Sequence, residues 1–256
     1  MFTPTTFART TPHTPPPPAT EPPLVVSIEG NIGIGKSTLM AGLRKRFASS
    51  NVVFVDEPVD LWERHGLLQA MYSGKLERCG FQQMAMVTRG AMLQKALTSS
   101  GAPLIITERS VYSDRECFAK INLTKPCEAA AYAVTHDAIC SGFPPARHAT
   151  VFLDAPLGVI SQRIRRRGRE AEAETNGDDE SGGGGGGVPD EYLTLLTAAH
   201  ETYFASLPED SKRAVDATRS PEEVAEEVYA AIIDLERSIN PSSPQTVMAE
   251  PHKMAF

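Results

Sequence analysis

The segment of this chain best suited to chemistry is a glycine-rich stretch that fits the pattern G-x-x-x-x-G-K-[ST]. It consists of Gly30, Asn31, Ile32, Gly33, Ile34, Gly35, Lys36 and Ser37, followed by Thr38. In such a loop, backbone N–H groups converge on phosphate oxygens, the lysine reaches the β and γ phosphates, and the serine hydroxyl can ligate Mg²⁺. We therefore predict a site for nucleotide phosphates here, with Lys36 as a catalytic cation and Ser37 as a metal ligand.

A chance glycine-rich turn is the alternative, and the flanking sequence disfavours it. The apolar run Leu24–Ile28 leads into the loop, and apolar residues at helical spacing follow it over Lys36–Ala48, as the mechanism requires. The loop alone leaves the reaction open, because ATPases, GTPases, kinases and nucleotide switches share it. The sequence has no N-K-x-D segment of the kind that usually reads guanine in a GTPase.

Two carboxylates follow further apolar runs. Glu57 comes after Asn51–Val55, and Glu108 comes after Pro103–Thr107. At the ends of neighbouring strands, one could take a proton from an acceptor hydroxyl and the other could help hold Mg²⁺. For either residue alone, capping of the next helix is an equally good interpretation.

The elements that must position these residues alternate along the chain. The pattern predicts further strands at Thr150–Leu153 and, briefly, at Ala214–Val215, with further helices at Phe81–Leu97 and Pro221–Ile239. Strands alternating with helices predict an α/β fold with a parallel, doubly wound sheet of about five strands. Ligands bind such sheets beyond the carboxyl ends of the strands.

Composition divides the chain and excludes some functions. Proline-rich stretches at 1–23 and 240–256 predict disordered tails around one domain at 24–239. A net charge of −7 argues against a general nucleic-acid binder, and no apolar run is long enough for a membrane span. The four cysteines lack metal-ligand spacing and indicate reduced thiols in an intracellular protein. The N-terminal tail leaves cytoplasmic, nuclear and mitochondrial locations open.

Six motifs in order from Val25 to about Tyr203 resemble the cellular-type deoxynucleoside kinase family, which includes deoxycytidine, deoxyguanosine and mitochondrial thymidine kinases. They are I-E-G-N-I-G-x-G-K-S-T, E-P-V-x-x-W, F-Q-x-x-A, E-R-S-V-Y-S-D-R-x-x-F-A, R-I-x-x-R-G-R and Y-L-x-x-L-x-x-x-H-E. The resemblance implies a P-loop kinase fold with a lid, ATP and Mg²⁺ as cofactors, and phosphorylation of a deoxynucleoside at its 5′-hydroxyl. It also implies a homodimer, with helices around Phe81–Leu97 and Tyr132–Ile139 as the candidate surface.

The resemblance also assigns roles by motif position. Glu57 would be the general base for the 5′-hydroxyl, Glu108 would help position Mg²⁺, and Arg109 would contact the 5′-oxygen and the transferring phosphate. This agrees with phosphoryl transfer, which needs an in-line hydroxyl, a base beside it and cations against the phosphate oxygens.

The resemblance also implies a nucleoside pocket in which Trp62 and Phe118 enclose the base, and Phe81 is a further substrate-binding residue. Gln82 would read the pairing edge, because an amide offers both a donor and an acceptor. Tyr72 would lie near the sugar 3′-hydroxyl. From the residues alone, core packing is the preferred interpretation of the three aromatic residues Trp62, Phe81 and Phe118.

Base preference depends on Ala85, Arg89 and Asp114, which match pocket positions of the family. A paired Arg and Asp would crowd the thymine methyl group and would reward an exocyclic amine or a purine edge. We therefore expect deoxycytidine or purine deoxynucleosides as substrates, with thymidine kinase or broad-specificity activity as the alternative.

An arginine run marks the expected lid, at about 163–191. The resemblance assigns Arg163, Arg167 and Arg169 to phosphate binding, leaving Arg165 and Arg166 open. Glu172 would contact the sugar 3′-hydroxyl, although Glu170 or Glu174 could replace it. An acidic and glycine-rich insertion at 173–188 has no counterpart in the family pattern, and we expect it to stay outside the core.

Two other functions are compatible with the loop. A nucleoside monophosphate kinase would need a further cation for its acceptor, and the E-P-V-x-x-W and F-Q segments argue against it. A non-catalytic nucleotide-binding module could dispense with Glu57, Gln82 and the lid arginines, all of which are present.

Overall fold

The computed structural model describes residues 21–167 and 188–239. Within these ranges, five parallel strands form one sheet in the order β2-β3-β1-β4-β5. The strands are β1 (Leu24–Glu29), β2 (Val52–Val55), β3 (Leu104–Glu108), β4 (Arg147–Asp154) and β5 (Lys212–Asp216). The predicted α/β fold class with a parallel, doubly wound sheet is confirmed.

Helices connect and flank the strands. They are α1 (Lys36–Arg46), α2 (Val59–Arg64), α3 (Leu67–Tyr72), α4 (Arg78–Ser99), α5 (Val111–Ser113), a π-helix (Asp114–Ala119), α6 (Lys120–Asn122), α7 (Pro126–Ser141), α8 (Leu157–Arg167), α9 (Asp190–Ser206), a 3₁₀ turn (Glu209–Ser211) and α10 (Pro221–Ser238). No helix in 21–167 or 188–239 is long and apolar enough to cross a membrane.

The predicted strands all occur, but β4 begins three residues earlier than predicted, at Arg147. The extension follows from pairing, because β1 runs alongside β4 from Leu24 opposite Arg147 to Glu29 opposite Phe152. Arg147 also donates its backbone N–H to the Pro23 carbonyl at 2.9 Å. The polar start of β4 is therefore held by its neighbours rather than by an apolar pattern of its own.

Both faces of β1 are covered, which explains its continuous apolar sequence. Leu24, Val26 and Ile28 pack into the main core with residues of α1 and α10. Val25 points to the other face, where it meets Leu93 of α4. A strand in this central position carries the loop at its carboxyl end on a rigid support.

The carboxyl ends of β1, β2 and β3 lie at one edge of the sheet and carry the glycine-rich loop, Glu57 and Glu108 respectively. The predicted tails, apart from 21–23, and most of the predicted insertion at 173–188 lie outside the described residues. Val188, the last residue of that insertion, is buried in the main core, so at this residue the expectation that the insertion stays outside the core is wrong. The chain has therefore rejoined the folded domain before α9 begins.

Candidate active site

A cavity of about 680 Å³ opens at this edge of the sheet. Many of the residues selected from the sequence line it, which places the loop, both carboxylates, the aromatic residues and part of the arginine run around one space. These residues are Ile32, Gly33, Ile34, Gly35, Lys36, Ser37, Thr38, Glu57, Trp62, Tyr72, Phe81, Gln82, Ala85, Arg89, Glu108, Arg109, Asp114, Phe118, Arg163 and Arg167.

The loop turns tightly between β1 and α1, and two of its glycines are required by the geometry. Gly30 has φ 135°, and a Cβ added there would lie 2.7 Å from the Leu153 carbonyl oxygen. Gly33 has φ 76°, and its Cβ would overlap the Ile164 side chain. Both positions combine a left-handed backbone with close neighbours, so only glycine fits.

The Lys36 ammonium folds back onto the loop. Its Nζ donates to the carbonyl oxygens of Gly30 at 3.1 Å and Asn31 at 2.9 Å. Burial, reinforced by the nearby Arg109 cation, lowers the pKa of Lys36 to about 7. A bound phosphate would offer this buried ammonium a stronger partner and would favour its charged form.

Asn31 belongs to the predicted phosphate loop, but its side chain points to α9. Its Nδ2 donates to the Leu193 carbonyl at 2.9 Å and to the Thr197 hydroxyl at 2.7 Å. Its Oδ1 accepts from the Ile32 N–H at 2.7 Å. The Asn31 side chain therefore ties the loop to α9, while the Asn31 backbone carbonyl oxygen accepts a hydrogen bond from Lys36.

Glu57 lies at the centre of a cluster of cations. Its Oε1 accepts a hydrogen bond from Arg89 and lies 3.4 Å from Arg109 Nε. Burial disfavours the charged form, but Arg89, Arg109 and Lys36 together outweigh it and lower the pKa of Glu57 to about 2. The carboxylate is thus ionised and faces the cavity, which is the state that a general base requires.

Glu108 and Ser37 form an oxygen pair beside the loop. The Ser37 hydroxyl donates to Glu108 Oε1 at 2.9 Å. Burial raises the pKa of Glu108, and Lys36 opposes that shift. Mg²⁺ is commonly held by one or two protein oxygens together with waters and substrate phosphates, and this pair fits that pattern. Across 21–167 and 188–239, no cluster of three or more His, Cys, Asp or Glu residues could form an all-protein metal site.

Arg109 is held in an unusual backbone conformation directly after β3. It has φ 65°, which a non-glycine residue adopts at a cost of roughly 1–2 kcal/mol. Its Nη1 donates to the Gly30 carbonyl at 2.9 Å, and its guanidinium carbon lies 4.6 Å from the centre of the Phe118 ring. Its buried Nε has no hydrogen-bond partner. The guanidinium is therefore fixed from several sides, and its Nε faces the Glu57 carboxylate at 3.4 Å without a hydrogen bond.

Aromatic side chains and an amide form the wall of the cavity beyond Glu57. The rings of Trp62 and Phe81 meet edge to face at 5.4 Å between centroids. Gln82 is buried, and its Oε1 has no hydrogen-bond partner. An unpartnered buried amide oxygen beside an apolar slot is suited to a ligand that brings a donor, such as a nucleobase edge.

Arg89 and Asp114 close this part of the cavity. Arg89 donates to Asp114 through Nη1 and to Glu57 through Nη2, and its guanidinium carbon lies 5.1 Å from the Trp62 ring centre. Asp114 Oδ2 accepts from the Tyr132 hydroxyl at 2.7 Å. The Arg89 guanidinium thus contacts both the candidate base Glu57 and Asp114, its partner in the predicted specificity pair.

The arginine run is divided by the structure. Arg163 donates to the carbonyl oxygens of Ile34 at 2.8 Å and Ala217 at 2.7 Å, so it contacts the loop. Arg166 and Arg167 line the cavity. Arg169, Glu172 and their alternatives Glu170 and Glu174 lie outside the described residues. Their assignments stay predictions.

Several cavity residues are absent from the sequence predictions. Arg78 Nη1 donates to Asn122 Oδ1 at 3.1 Å, and Asn122 Nδ2 donates to the Tyr192 hydroxyl at 3.0 Å. Tyr192 is the first residue of the Y-L-x-x-L-x-x-x-H-E motif, so this motif could have identified it as a candidate site residue. Nothing in the local pattern singles out Arg78 or Asn122, because helix packing brings them to the cavity.

Comparisons with known proteins agree with this geometry. The family model for deoxynucleoside kinase matches residues 26–239. Thymidine kinase of Ictalurid herpesvirus 1 is 32% identical over 211 residues, covering 80% of this chain and 84% of the viral protein. Deoxycytidine kinase 1 of Xenopus laevis is 33% identical over 70% of this chain and 72% of its own length. Deoxyadenosine/deoxycytidine kinase of Bacillus subtilis is 27% identical over 59% of this chain and 69% of its own length.

Proposed function

The chain belongs to the deoxynucleoside kinase family, and from this premise we propose that it phosphorylates the 5′-hydroxyl of deoxycytidine or a purine deoxynucleoside. As a member of that family it is a phosphotransferase that uses ATP as the phosphate donor. The proposal concerns the acceptor base and the roles of the residues. The observation that carries it is the Arg89–Asp114 pair in the nucleoside part of the cavity.

Glu57 and Arg109 supply the chemistry at the acceptor. The Glu57 carboxylate takes the proton of the 5′-hydroxyl as the oxygen–phosphorus bond forms, and ADP leaves from the opposite side. Arg109 offers its Nε, which makes no hydrogen bond and lies 3.4 Å from Glu57, to the 5′-oxygen and the transferring phosphoryl group. Because phosphoryl transfer depends mainly on positioning and charge stabilisation, a fixed guanidinium suits this role.

Lys36, the loop N–H groups and the arginines of α8 hold the triphosphate. Lys36 would exchange its two carbonyl partners for the β and γ phosphates. Ser37 and Glu108 would hold Mg²⁺, which would supply positive charge to the triphosphate. On this proposal, the donor lies beside α1 and the acceptor lies between α2, α4 and the π-helix.

The buried charges support a preference for amino-substituted bases. Arg89 is 9% exposed and Asp114 is 1% exposed, so both are desolvated and their hydrogen-bonding needs are strict. A base with an exocyclic amine or a purine edge can add hydrogen bonds to this pair, whereas the thymine methyl group would crowd it and add none. Deoxycytidine and the purine deoxynucleosides therefore fit better than thymidine.

Steady-state phosphorylation of all four deoxynucleosides with ATP and Mg²⁺ tests this proposal. We expect the highest kcat/KM with deoxycytidine or a purine deoxynucleoside and the lowest with thymidine. Turnover of deoxycytidine monophosphate in place of the nucleoside would instead indicate a monophosphate kinase. Absence of turnover with every acceptor would favour a non-catalytic module.

Thymidine is the second candidate substrate, because the viral relative named thymidine kinase aligns over 80% of this chain at 32% identity. If thymidine has the highest kcat/KM of the four nucleosides, the specificity argument from Arg89 and Asp114 is wrong. The assignment of the catalytic groups would be unaffected.

Replacing Asp114 should relax the choice of base. In Asp114→Asn, Arg89 loses one of its two carboxylates, so we expect the ratio of kcat/KM for thymidine to that for deoxycytidine to rise roughly 10- to 100-fold. The same assay with both nucleosides measures it. Asp137→Asn is the matched control, because Asp137 pairs with Arg115 at 2.8 Å outside the cavity. An unchanged ratio in Asp114→Asn would remove Asp114 from the specificity pocket.

Replacing Glu108 should weaken the binding of Mg²⁺ without altering the binding of the nucleoside. In Glu108→Gln, the Ser37–Glu108 pair loses its negative charge, and we expect the Mg²⁺ concentration for half-maximal rate to rise about tenfold. A Mg²⁺ titration at fixed ATP and deoxycytidine measures this. Glu63→Gln, on the exposed surface of α2, provides the comparison. A normal Mg²⁺ titration in Glu108→Gln would argue that other groups hold the metal.

We also propose that the chain forms a homodimer through α4 and α7. Val87 and Met92 of α4 and Val134 of α7 are among its exposed large apolar side chains, and Val134 is 72% exposed. Light scattering should give twice the chain mass of 27.7 kDa for the wild type and a lower mass for Val134→Glu. Leu195→Glu, at an exposed position of α9, should stay dimeric. A monomeric wild type would overturn this proposal.

A further inference from the structure

His200 is a buried histidine of the Y-L-x-x-L-x-x-x-H-E motif to which no role has yet been assigned. It lies on α9, is 1% exposed, and does not line the cavity. Its ring is stacked on Phe152, with 6.3 Å between the ring centroids, and meets Phe118 edge to face, with 5.7 Å between the centroids. A packed histidine needs no function, so the polar contacts of its two ring nitrogens decide the question.

The two nitrogens of His200 have different partners. Nδ1 lies 2.8 Å from the Leu196 carbonyl oxygen, which can only accept, so Nδ1 carries the proton. Nε2 lies 3.4 Å from Arg109 Nη1, which can only donate, so Nε2 is the acceptor. Burial, reinforced by Arg109, lowers the pKa of His200 to about 3, in agreement with a neutral ring.

These contacts complete the enclosure of the Arg109 guanidinium. Nη1 is directed to both the Gly30 carbonyl and His200 Nε2, and Phe118 covers one face. Nε remains without a hydrogen-bond partner. The Gly30 carbonyl, His200 and Phe118 thus hold the guanidinium while its Nε faces Glu57 at 3.4 Å on the side of the reacting groups.

One face of α9 supports both ends of the phosphate-transfer site. Leu193 and Thr197 receive the Asn31 side chain from the glycine-rich loop, and His200 meets Arg109. Residues 193, 197 and 200 share a helix face by their i, i+4 and i+7 spacing. The loop and the catalytic arginine are thus held in register by the same helix.

We propose that His200 is a positioning residue, which uses its Nε2 lone pair to hold the Arg109 guanidinium toward the transferring phosphate. The inference rests on the role proposed for Arg109. It predicts that His200 affects the rate of transfer and acts through Arg109, rather than contributing only to the packing of α9.

The test compares two substitutions that remove the same ring. In His200→Gln, the longer side chain can return an amide oxygen to the Nε2 position, whereas His200→Asn places its amide at the Nδ1 position and leaves Arg109 without this acceptor. With deoxycytidine and saturating ATP, we expect His200→Asn to lower kcat roughly 10- to 100-fold with little change in KM, and His200→Gln to recover most of that loss. Equal rates in the two variants, at equal thermal midpoints, would overturn the proposal.

Combination with Arg109→Lys separates this inference from the function on which it depends. If Arg109→Lys alone is fully active, the role proposed for Arg109 is wrong. If it is impaired, adding His200→Asn should cause little further loss, because the partner of His200 is already gone. Independent, multiplicative losses would show that His200 does not act through Arg109.

A measurement on the full chain with His200 unchanged covers the case in which its variants do not fold. In ¹⁵N spectra of histidine-labelled protein, His200 should show a protonated Nδ1 and an unprotonated Nε2, and Arg109→Lys should shift the Nε2 resonance. A protonated Nε2, or a resonance unmoved by Arg109→Lys, would contradict the inference.

Discussion

Glu57→Gln should lower kcat by roughly 10²- to 10⁴-fold while the enzyme still binds its nucleoside. The amide preserves the size of the side chain and can still accept a hydrogen bond from Arg89, but it cannot take the proton of the 5′-hydroxyl. Steady-state rates with deoxycytidine give the loss in kcat, and calorimetric titration of the nucleoside gives the binding. The predicted result is a catalytic defect without a comparable binding defect.

Asp56→Asn is the matched control for this experiment. Asp56 is the adjacent residue, half-exposed, and pairs with Arg44 at 2.6 Å away from the cavity. It should keep its activity after the same chemical change. Full activity in Glu57→Gln would mean that another group removes the proton, and Glu108 would be the next candidate at this edge of the sheet.

Lys36→Met should lower kcat/KM for ATP by roughly 10²- to 10³-fold, the usual effect of removing one charge-stabilising donor from a reacting centre. Lys36 is 5% exposed and its ammonium already contacts the loop, so methionine can replace the volume of the side chain but not its charge. Initial rates over a range of ATP concentrations measure the loss.

Lys45→Met, on the exposed side of α1, controls for a general effect of the substitution on this helix. We expect it to match the wild type. A Lys36→Met enzyme with unchanged kcat/KM for ATP would contradict the assignment of the glycine-rich loop as the donor site. It would leave the acceptor side of the proposal standing.

The sheet and the loop could be predicted from the sequence because their signals are local. A buried parallel strand is a short apolar run, and the loop pattern encodes both the glycine conformations and the helix that follows. Glu57 and Glu108 could be placed near the loop because each follows such a strand. Strand ends in a parallel sheet share an edge, so this inference needed no knowledge of side-chain contacts.

The partners of these residues could not be predicted, because distant elements bring them together. The contact between Arg89 and Glu57 depends on how α4 packs beside β2. The direction of the Asn31 side chain depends on α9, which is 162 residues further along the chain. The π-helix that carries Asp114 and Phe118 has no distinct hydrophobic period, and it was not predicted.

One guanidinium, that of Arg89, contacts both the candidate base Glu57 and the proposed specificity residue Asp114. Any mutation of Arg89 that admits a new base also changes the proton affinity of Glu57, since Arg89 is its foremost cationic neighbour. Selectivity and turnover would then vary together at this position. Directed evolution toward unnatural nucleosides should accordingly find its gains at Ala85 or Gln82 before it finds them at Arg89.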